Sequence, residues 1–375
     1  MREVRLVMLV FFLQPIPLGA WLARIPEIEA TLKLGPARLG LSLLGFPIGT
    51  IAALIVGGAV AERFGARGLI MLTFPAFLAA ILLPPLAPGV AMLFLALAIT
   101  GAVMGLLELA MNLEAARVET ASGRLIMSTS HGFWSVGLAL GTLIGTQFAN
   151  RGTDPFTAAL IVSTVLLLPA LAVSRTLPNL PRENGGGGHV FALPSRPAIP
   201  ICLFVLGVAM TEGALADWAG IFLRDAIGTE IGLTGYGFGI FASAVAFGRF
   251  FGDFLKARLG AARLARFCLV CALAGLALLG FVDTLPLSLL AFALLGIGVS
   301  TGFPLAVSAI SAIDPARVAT NVSALGLAAL GSFLVGPVLI GFLAEVFGIR
   351  PAMMALAPAL LGSLVLAHSL KAAKD

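Results

Sequence analysis

Charge is what this chain has least of. Of 375 residues only 11% are Asp, Glu, Lys or Arg, and 59% are hydrophobic, with a mean hydropathy of +1.08. A soluble domain carries about 25% charged residues, so a large soluble fold is excluded and a membrane protein is expected. Cysteine is scarce too: Cys202, Cys268 and Cys271 all lie in apolar runs. That excludes a disulfide framework. The Cys268-x-x-Cys271 spacing admits a redox or metal half-site, but no second pair accompanies it. Burial as small hydrophobes is the plainer reading, and no metal is expected. A phosphate-binding Gly-x-x-x-x-Gly-Lys-Ser/Thr loop is missing, so no nucleotide cofactor is expected and any transport must run on a gradient. The zinc-protease pattern His-Glu-x-x-His is missing as well, and the chain reads as no enzyme.

What is present is apolar runs of membrane-crossing length. A spanning helix needs about 20 apolar residues. Pro, Gly and charges divide the runs into spans at 5–24, 37–61, 67–84, 89–112, 125–148 and 155–174. A second set follows at 198–222, 232–255, 261–282, 285–309, 317–343 and 351–369. Arg2 and Arg5 ahead of the first run mimic a secretory signal, but Leu18-Gly-Ala20 is a poor cleavage site, so an uncleaved first helix is expected. With the N-terminus inside, sixteen of the 23 Lys and Arg fall in cytoplasmic segments or the span ends that adjoin them, six on the outer side in the same sense, and Arg249 lies within a span. That excess puts both termini in the cytoplasm. It also accounts for the +5 net charge without a nucleic-acid partner.

The expected organisation is an N-terminal six-helix bundle (1–174), a cytoplasmic linker (175–197) and a C-terminal six-helix bundle (198–375). The linker holds Pro178, Pro181 and Gly185 to Gly188, a flexible composition. The halves repeat at an offset of about 195 residues, the weak internal symmetry of transporters. Gly40 maps onto Gly235, Gly65 onto Gly260, Gly101 onto Gly296 and Gly141 onto Gly336. Glu108 maps onto Phe303, so the acid belongs to the first half alone.

Glu108 and Asn112 lie one helical turn apart inside the fourth run and share a face. An intramembrane carboxylate costs roughly 2.5–3.5 kcal/mol on insertion scales and persists by being protonated, paired or hydrated. Glu108 reads as a proton carrier or, more plainly, as a partner of Asn112 or of a neighbouring helix. His131 in the fifth span reads equally as a solute or proton ligand and as a packed, hydrogen-bonded histidine. Trp134 reads as packing or as a stacking wall for a sugar. In the seventh span Glu212 sits near the midplane and Asp217 further out. Five helical residues turn about 500°, leaving the two about 140° apart. Glu212 is the cavity candidate; Asp217 beside Trp218 is a gate or interface anchor with Arg24 as partner. Arg249 and Asp253, spaced i and i+4, are expected to pair at a gate. Gln14, Trp21 and Asn321 complete the candidate solute path.

After the second span comes Gly58-Ala-Val-Ala-Glu62-Arg63-Phe-Gly65-Ala-Arg67, with a degenerate partner Gly248-Arg249-Phe-Phe-Gly252-Asp253 in the other half. The first resembles the Gly-x-x-x-Asp-Arg-x-Gly-x-Arg signature of the major facilitator superfamily, with Glu62 replacing Asp. Gly58 is expected to let neighbouring helices approach, and Glu62 to accept from a helix N-terminus. What the resemblance implies is an all-α membrane protein of twelve transmembrane helices, two pseudo-symmetric six-helix bundles around a central cavity, working by alternating access as a monomer. Glu62, Arg63, Gly65 and Arg67 would then act in gating.

A closer resemblance joins Gly105-Leu-Leu-Glu108-Leu-Ala110-Met-Asn112 to the Glu-x-Ala-x-Asn segment of fucose–proton symporters. Gly19-Ala-Trp21-Leu-Ala-Arg24, Ser130-His131-Gly-Phe-Trp134 and Glu212…Asp217-Trp218 resemble the fucose-permease-like group that includes the rhizopine transporter MosC. This implies proton-coupled uptake of a sugar-, polyol- or cyclitol-like solute across a bacterial inner membrane, with Glu108 carrying the proton. The first span offers Gln14 where those symporters also carry a carboxylate. Proton-driven efflux of amphipathic or cationic compounds is the alternative, and a non-transporting membrane receptor a more distant one. Gly336-Pro337 is similar to the Gly-Pro motif of drug antiporters but lies in the eleventh span, not the fifth.

Overall fold

The computed structural model describes residues 1–124, 126–178, 194–313 and 317–371, with the side chains of Ser128 and Ala319 also outside the description. The regular structure among these residues is helical, with no strand. The helices are α1 (Arg2–Leu13), α2 (Pro15–Leu22), α3 (Ile25–Leu32), α4 (Pro36–Leu43), α5 (Gly45–Phe64), α6 (Ala66–Ala80), α7 (Val90–Ser122), α8 (Met127–Asn150) and α9 (Pro155–Thr176). Then follow α10 (Ile199–Ile227), α11 (Tyr236–Leu259), α12 (Ala261–Phe281), α13 (Leu285–Ser300), α14 (Gly302–Ile313), α15 (Val318–Phe347), α16 (Ile349–Met354) and α17 (Ala357–Leu366).

Among the described residues, eleven stretches are long and apolar enough to cross a membrane. Helix α8, at 24 residues, is the remaining long helix. Thr129, Ser130, His131, Thr142, Thr146 and Gln147 make it less apolar than its neighbours. Spans expected from the sequence thus reappear in order, with differences at their ends. The fourth runs ten residues past Asn112, to a left-handed Gly123 (φ 64°) that closes it. At 33 residues it is about 50 Å long.

Proline explains why several spans come in pieces. A proline has no N–H to give the carbonyl four residues back. Helices α1, α4, α13 and α16 end at Leu13, Leu43, Ser300 and Met354, each four residues before Pro17, Pro47, Pro304 or Pro358. Pro75 and Pro169, by contrast, lie within unbroken helices.

The described residues fall into two compact units, one drawn from Met1–Gly187 with Ile231–Gly239, the other from Gly188–Glu230 with Ile240–Asp375. Most of the linker expected at 175–197, namely 179–193, lies outside the described residues. Within the first unit α8 packs against α1 and α2 through Gly137, Gly141 and Gly145. A Cβ at those positions would collide with the carbonyl oxygens of Phe12, Ile16 and Ala20. Tyr236, at the head of α11, belongs to this unit and its hydroxyl accepts from Gln147 Nε2 at 2.8 Å.

The internal repeat is visible in individual contacts. A Cβ at Gly101 would strike the Phe46 carbonyl, and one at Gly296 the Phe241 carbonyl. Both partners are shifted by the same 195 positions as the glycines. Gly65 and Gly260 match as well, ending α5 and α11 at φ 71°, ψ 160° and φ 77°, ψ 156°. The two bundles are pseudo-symmetric at the level of helix-to-helix contact.

Candidate functional site

In the first unit the polar side chains of three spans meet. Asn112 Nδ2 donates to the Glu108 carbonyl at 2.9 Å, one turn back on α7. Its Oδ1 faces His131 Nε2 on α8 at 3.2 Å. The edge of the His131 ring meets Phe11 of α1, with centroids 5.3 Å apart. One turn along α8, Trp134 Nε1 donates to Gln14 Oε1 at 2.9 Å. Gln14 is fully buried and its Nε2 has no partner among the described residues. Helix α1 ends beside it, so the proline break fixes where this amide sits.

The Glu108 carboxyl is only part-buried and has no hydrogen-bond or ionic partner among the described residues. Asn112 therefore reaches the backbone of Glu108 and leaves its carboxyl alone. An unpaired acid in a spanning helix is the strongest marker of function that such a bundle offers.

The second unit carries a different arrangement. Arg249 Nη2 of α11 donates to Glu212 Oε1 of α10 at 3.0 Å, and the two side chains keep 18% and 23% of their exposure. Arg249 Nε reaches the Ser300 carbonyl at 3.4 Å. That is the carbonyl which Pro304 leaves without a helical donor. Sequence spacing paired Arg249 with Asp253, but Asp253 is exposed, and the proline-freed carbonyl together with Glu212 holds the guanidinium instead. Gly298-Val-Ser300-Thr-Gly302 has the spacing of a hydrolase nucleophile elbow. It joins two helices with no strand before it, and Ser300 Oγ donates to Ile297 O.

Other expected residues lie elsewhere. Arg24, 2% exposed, pairs with Glu27 on its own span at 2.6 Å, and its Nη2 donates to the Thr153 carbonyl. Its ionic partner is therefore Glu27, in place of the expected Asp217. Asp217 is part-buried with no partner among the described residues, beside a fully buried Trp218. Trp21 lines a small, mostly apolar hollow with Pro17, Ile81, Pro85, Pro155 and Val162, a lining that does not include Trp134. Asn321 is fully buried, its Oδ1 accepting from the Ser195 backbone at 2.8 Å, so it anchors the chain entering α10.

In the signature segment, Gly58 is exposed and a Cβ there would meet nothing within 4 Å. The close helix approach expected at Gly58 occurs instead at Gly45 and Gly49, in the first turns of α5 at its other end. Glu62 is exposed, Arg63 lies over the Phe64 ring at 5.6 Å, and Arg67 Nη2 donates to the Arg175 carbonyl at 2.6 Å. Gly252 is buried against Thr301.

Two groups escaped the sequence reading. Glu114 is 1% exposed with no partner for Oε1 among the described residues, and Arg117 and Arg67 are cations nearby. Its signal was the i, i+3 spacing to Arg117 and the closing Gly123. Arg350 donates to the Leu279 and Val282 carbonyls at 2.9 and 2.7 Å and to Asp283 at 2.7 Å.

The chain matches the Major Facilitator Superfamily over residues 7–325 and again over 201–373. It belongs to that superfamily. The uncharacterized transporter y4wD of Sinorhizobium fredii is 31% identical over 344 residues, covering 91% of this chain and 90% of the relative. Membrane protein MosC of Rhizobium meliloti is 27% identical over 350 residues, covering 92% and 84%. Among solved structures, the nucleoside transporter NupG superposes with a TM-score of 0.76 at 16% identity, over 99% of this chain and 98% of that one. An inward-facing bacterial homologue of the lysosomal transporter Spinster gives 0.77 at 18%, over 98% and 96%. These structures share the fold. This superfamily member is an integral, multi-pass membrane transporter of a small solute and not an enzyme.

Proposed function

We propose that this transporter couples proton movement to uptake of a neutral or amine-bearing sugar-, polyol- or cyclitol-like solute by alternating access. It works as a monomer in a bacterial inner membrane with both termini cytoplasmic. The observation that carries this reading is Glu108, a part-buried carboxyl without a partner in a spanning helix, beside the Asn112–His131 contact. Such an acid can accept a proton in one state and release it in another.

The charge balance supports the solute class. Arg24 is neutralised by Glu27 and Arg249 by Glu212, so these two cations are already matched and a carboxylate solute finds poor complement. Trp134, held by Gln14 and still part-exposed, offers a flat face for the CH side of a ring. Glu62, Arg63, Gly65, Arg67, Gly252 and Asp253 serve gating, and the bias of Lys and Arg in the sequence supports the orientation.

Proteoliposomes loaded with a pH dye test the proposal. Addition of an accepted polyol, aminocyclitol or sugar shifts the internal pH with wild-type protein, and Glu108→Gln abolishes the shift while keeping solute binding in a thermal-shift assay. Wild-type uptake without proton movement, or preference for carboxylates, overturns it. Extrusion of cationic amphiphiles by the same vesicles would assign the protein to efflux.

A further inference from the structure

Helix α8 is held differently on its two sides. It packs closely on α1 and α2 through Gly137, Gly141 and Gly145, and far less on α7. Yet Glu108 and Asn112 stand on α7 and His131 on α8, so the register between these two helices decides what His131 meets. A slip of one residue would move α8 by about 1.5 Å and turn it by about 100°, carrying the imidazole to another face. One carboxylate spans the junction. The first N–H groups of a helix have no partner within it. At the start of α8 the N–H groups of Ile126 and Met127 both donate to Glu119 Oε2, at 2.6 and 3.0 Å. Glu119 stands on the last turn of α7, and its charge suits the positive end of the α8 dipole.

We propose that Glu119 is a positioning residue that fixes the register of α8 on α7 and so sets His131 opposite Asn112. Glu119 follows Asn112 by seven residues, two turns with only about 20° of drift, so Glu108, Asn112 and Glu119 leave α7 on one face. His131 follows Met127 by four residues and shares its face of α8. The two faces therefore meet at two levels: Glu119 with the Ile126 and Met127 N–H groups, and Asn112 with His131 at 3.2 Å. A carboxylate at the helix end does for this pair what glycine packing does between α8 and α1 or α2. The proposal rests on the functional reading above only in giving the Asn112–His131 contact a part in transport.

The chain has three histidines, His131, His189 and His368, few enough for direct spectroscopy. Full-length protein labelled with ¹⁵N-histidine in lipid nanodiscs reports the surroundings of each ring at a fixed pH, and His131→Gln assigns the signals. Both hydrogen bonds end on one oxygen of Glu119, so an amide oxygen can take them over and an alanine cannot. Glu119→Ala is therefore expected to shift the His131 ring signals by more than their line width, and Glu119→Gln to keep them at the wild-type positions. Glu119→Asp, one methylene short of the α8 terminus, is expected to shift them part of the way, and it decides the matter with Glu119→Gln should the alanine variant fail to fold. A melting temperature lowered in Glu119→Ala with the His131 signals unmoved is what a plain helix cap gives, and it overturns the proposal. Equal displacement in Glu119→Gln and Glu119→Asp overturns it as well. Absence of proton-coupled transport with these shifts observed would instead sink the functional reading and leave the positioning role standing.

Discussion

Arg249 and Glu212 meet at 3.0 Å across two helices because Pro304, on a third, leaves the Ser300 carbonyl open to the same guanidinium. Removing one partner leaves a half-buried charge uncompensated. Arg249→Met or Glu212→Gln alone lowers stability by about 1–3 kcal/mol, less than the ~3–5 for a fully buried pair because both side chains stay partly in contact with solvent. Thermal unfolding in detergent reads the loss. The double variant should recover more than half of it; additive losses would show that the pair contributes nothing as a pair.

Glycines 141 and 58 predict opposite outcomes for one substitution. Gly141→Ala drives a methyl into the Ile16 carbonyl and costs ~1–3 kcal/mol or more. Gly58→Ala meets nothing within 4 Å on an exposed helix face, and replacing an exposed helical glycine gains up to about 1 kcal/mol. Melting temperatures of the two variants, measured side by side, should move in opposite directions.

Arg350 ties the C-terminal end of α12 and Asp283 to the start of α16 through several donors. Arg350→Ala should lower the melting temperature, losing about 1.5–3 kcal/mol for charged hydrogen bonds, reduced by partial exposure. Arg350→Lys should not rescue it, since an ammonium cannot fork to carbonyls on separate turns. Full rescue by lysine would reduce the role of Arg350 to charge alone.

Asp154 caps α9, its carboxylate accepting from the Thr157 N–H at 2.9 Å. That hydrogen bond holds its carboxyl below the ordinary aspartate value. A lowered native pKa contributes stability that is present above the unfolded-state value and is lost as pH falls through the native one. Acid unfolding of wild type should therefore begin at lower pH than that of Asp154→Ala, and Asp154→Asn, which keeps the cap, should lose less at neutral pH than alanine does.

Much of this was legible in the sequence because apolar length and glycine offset are strong signals. The spans appear in the expected order, and the shift that relates Gly101 to Gly296 also relates Phe46 to Phe241. Pairing was less legible. Arg249 was matched to Asp253 by spacing along one helix, yet a neighbouring helix and a proline-freed carbonyl supplied nearer partners. Arg24 likewise found Glu27, three residues away, once the first span continued past it. Glu114 was missed because a charge ends an apolar run in a sequence, whereas a helix ends where its backbone does, here at Gly123.

The glycine over Phe46 and its counterpart over Phe241 lock one helix pair at the same depth in each half. Two frames of one gauge leave the rungs free to differ: where the first hangs Glu108, the second hangs Phe303. After duplication, a lineage could rewrite the chemistry of one side without loosening a single backbone-to-backbone contact on either.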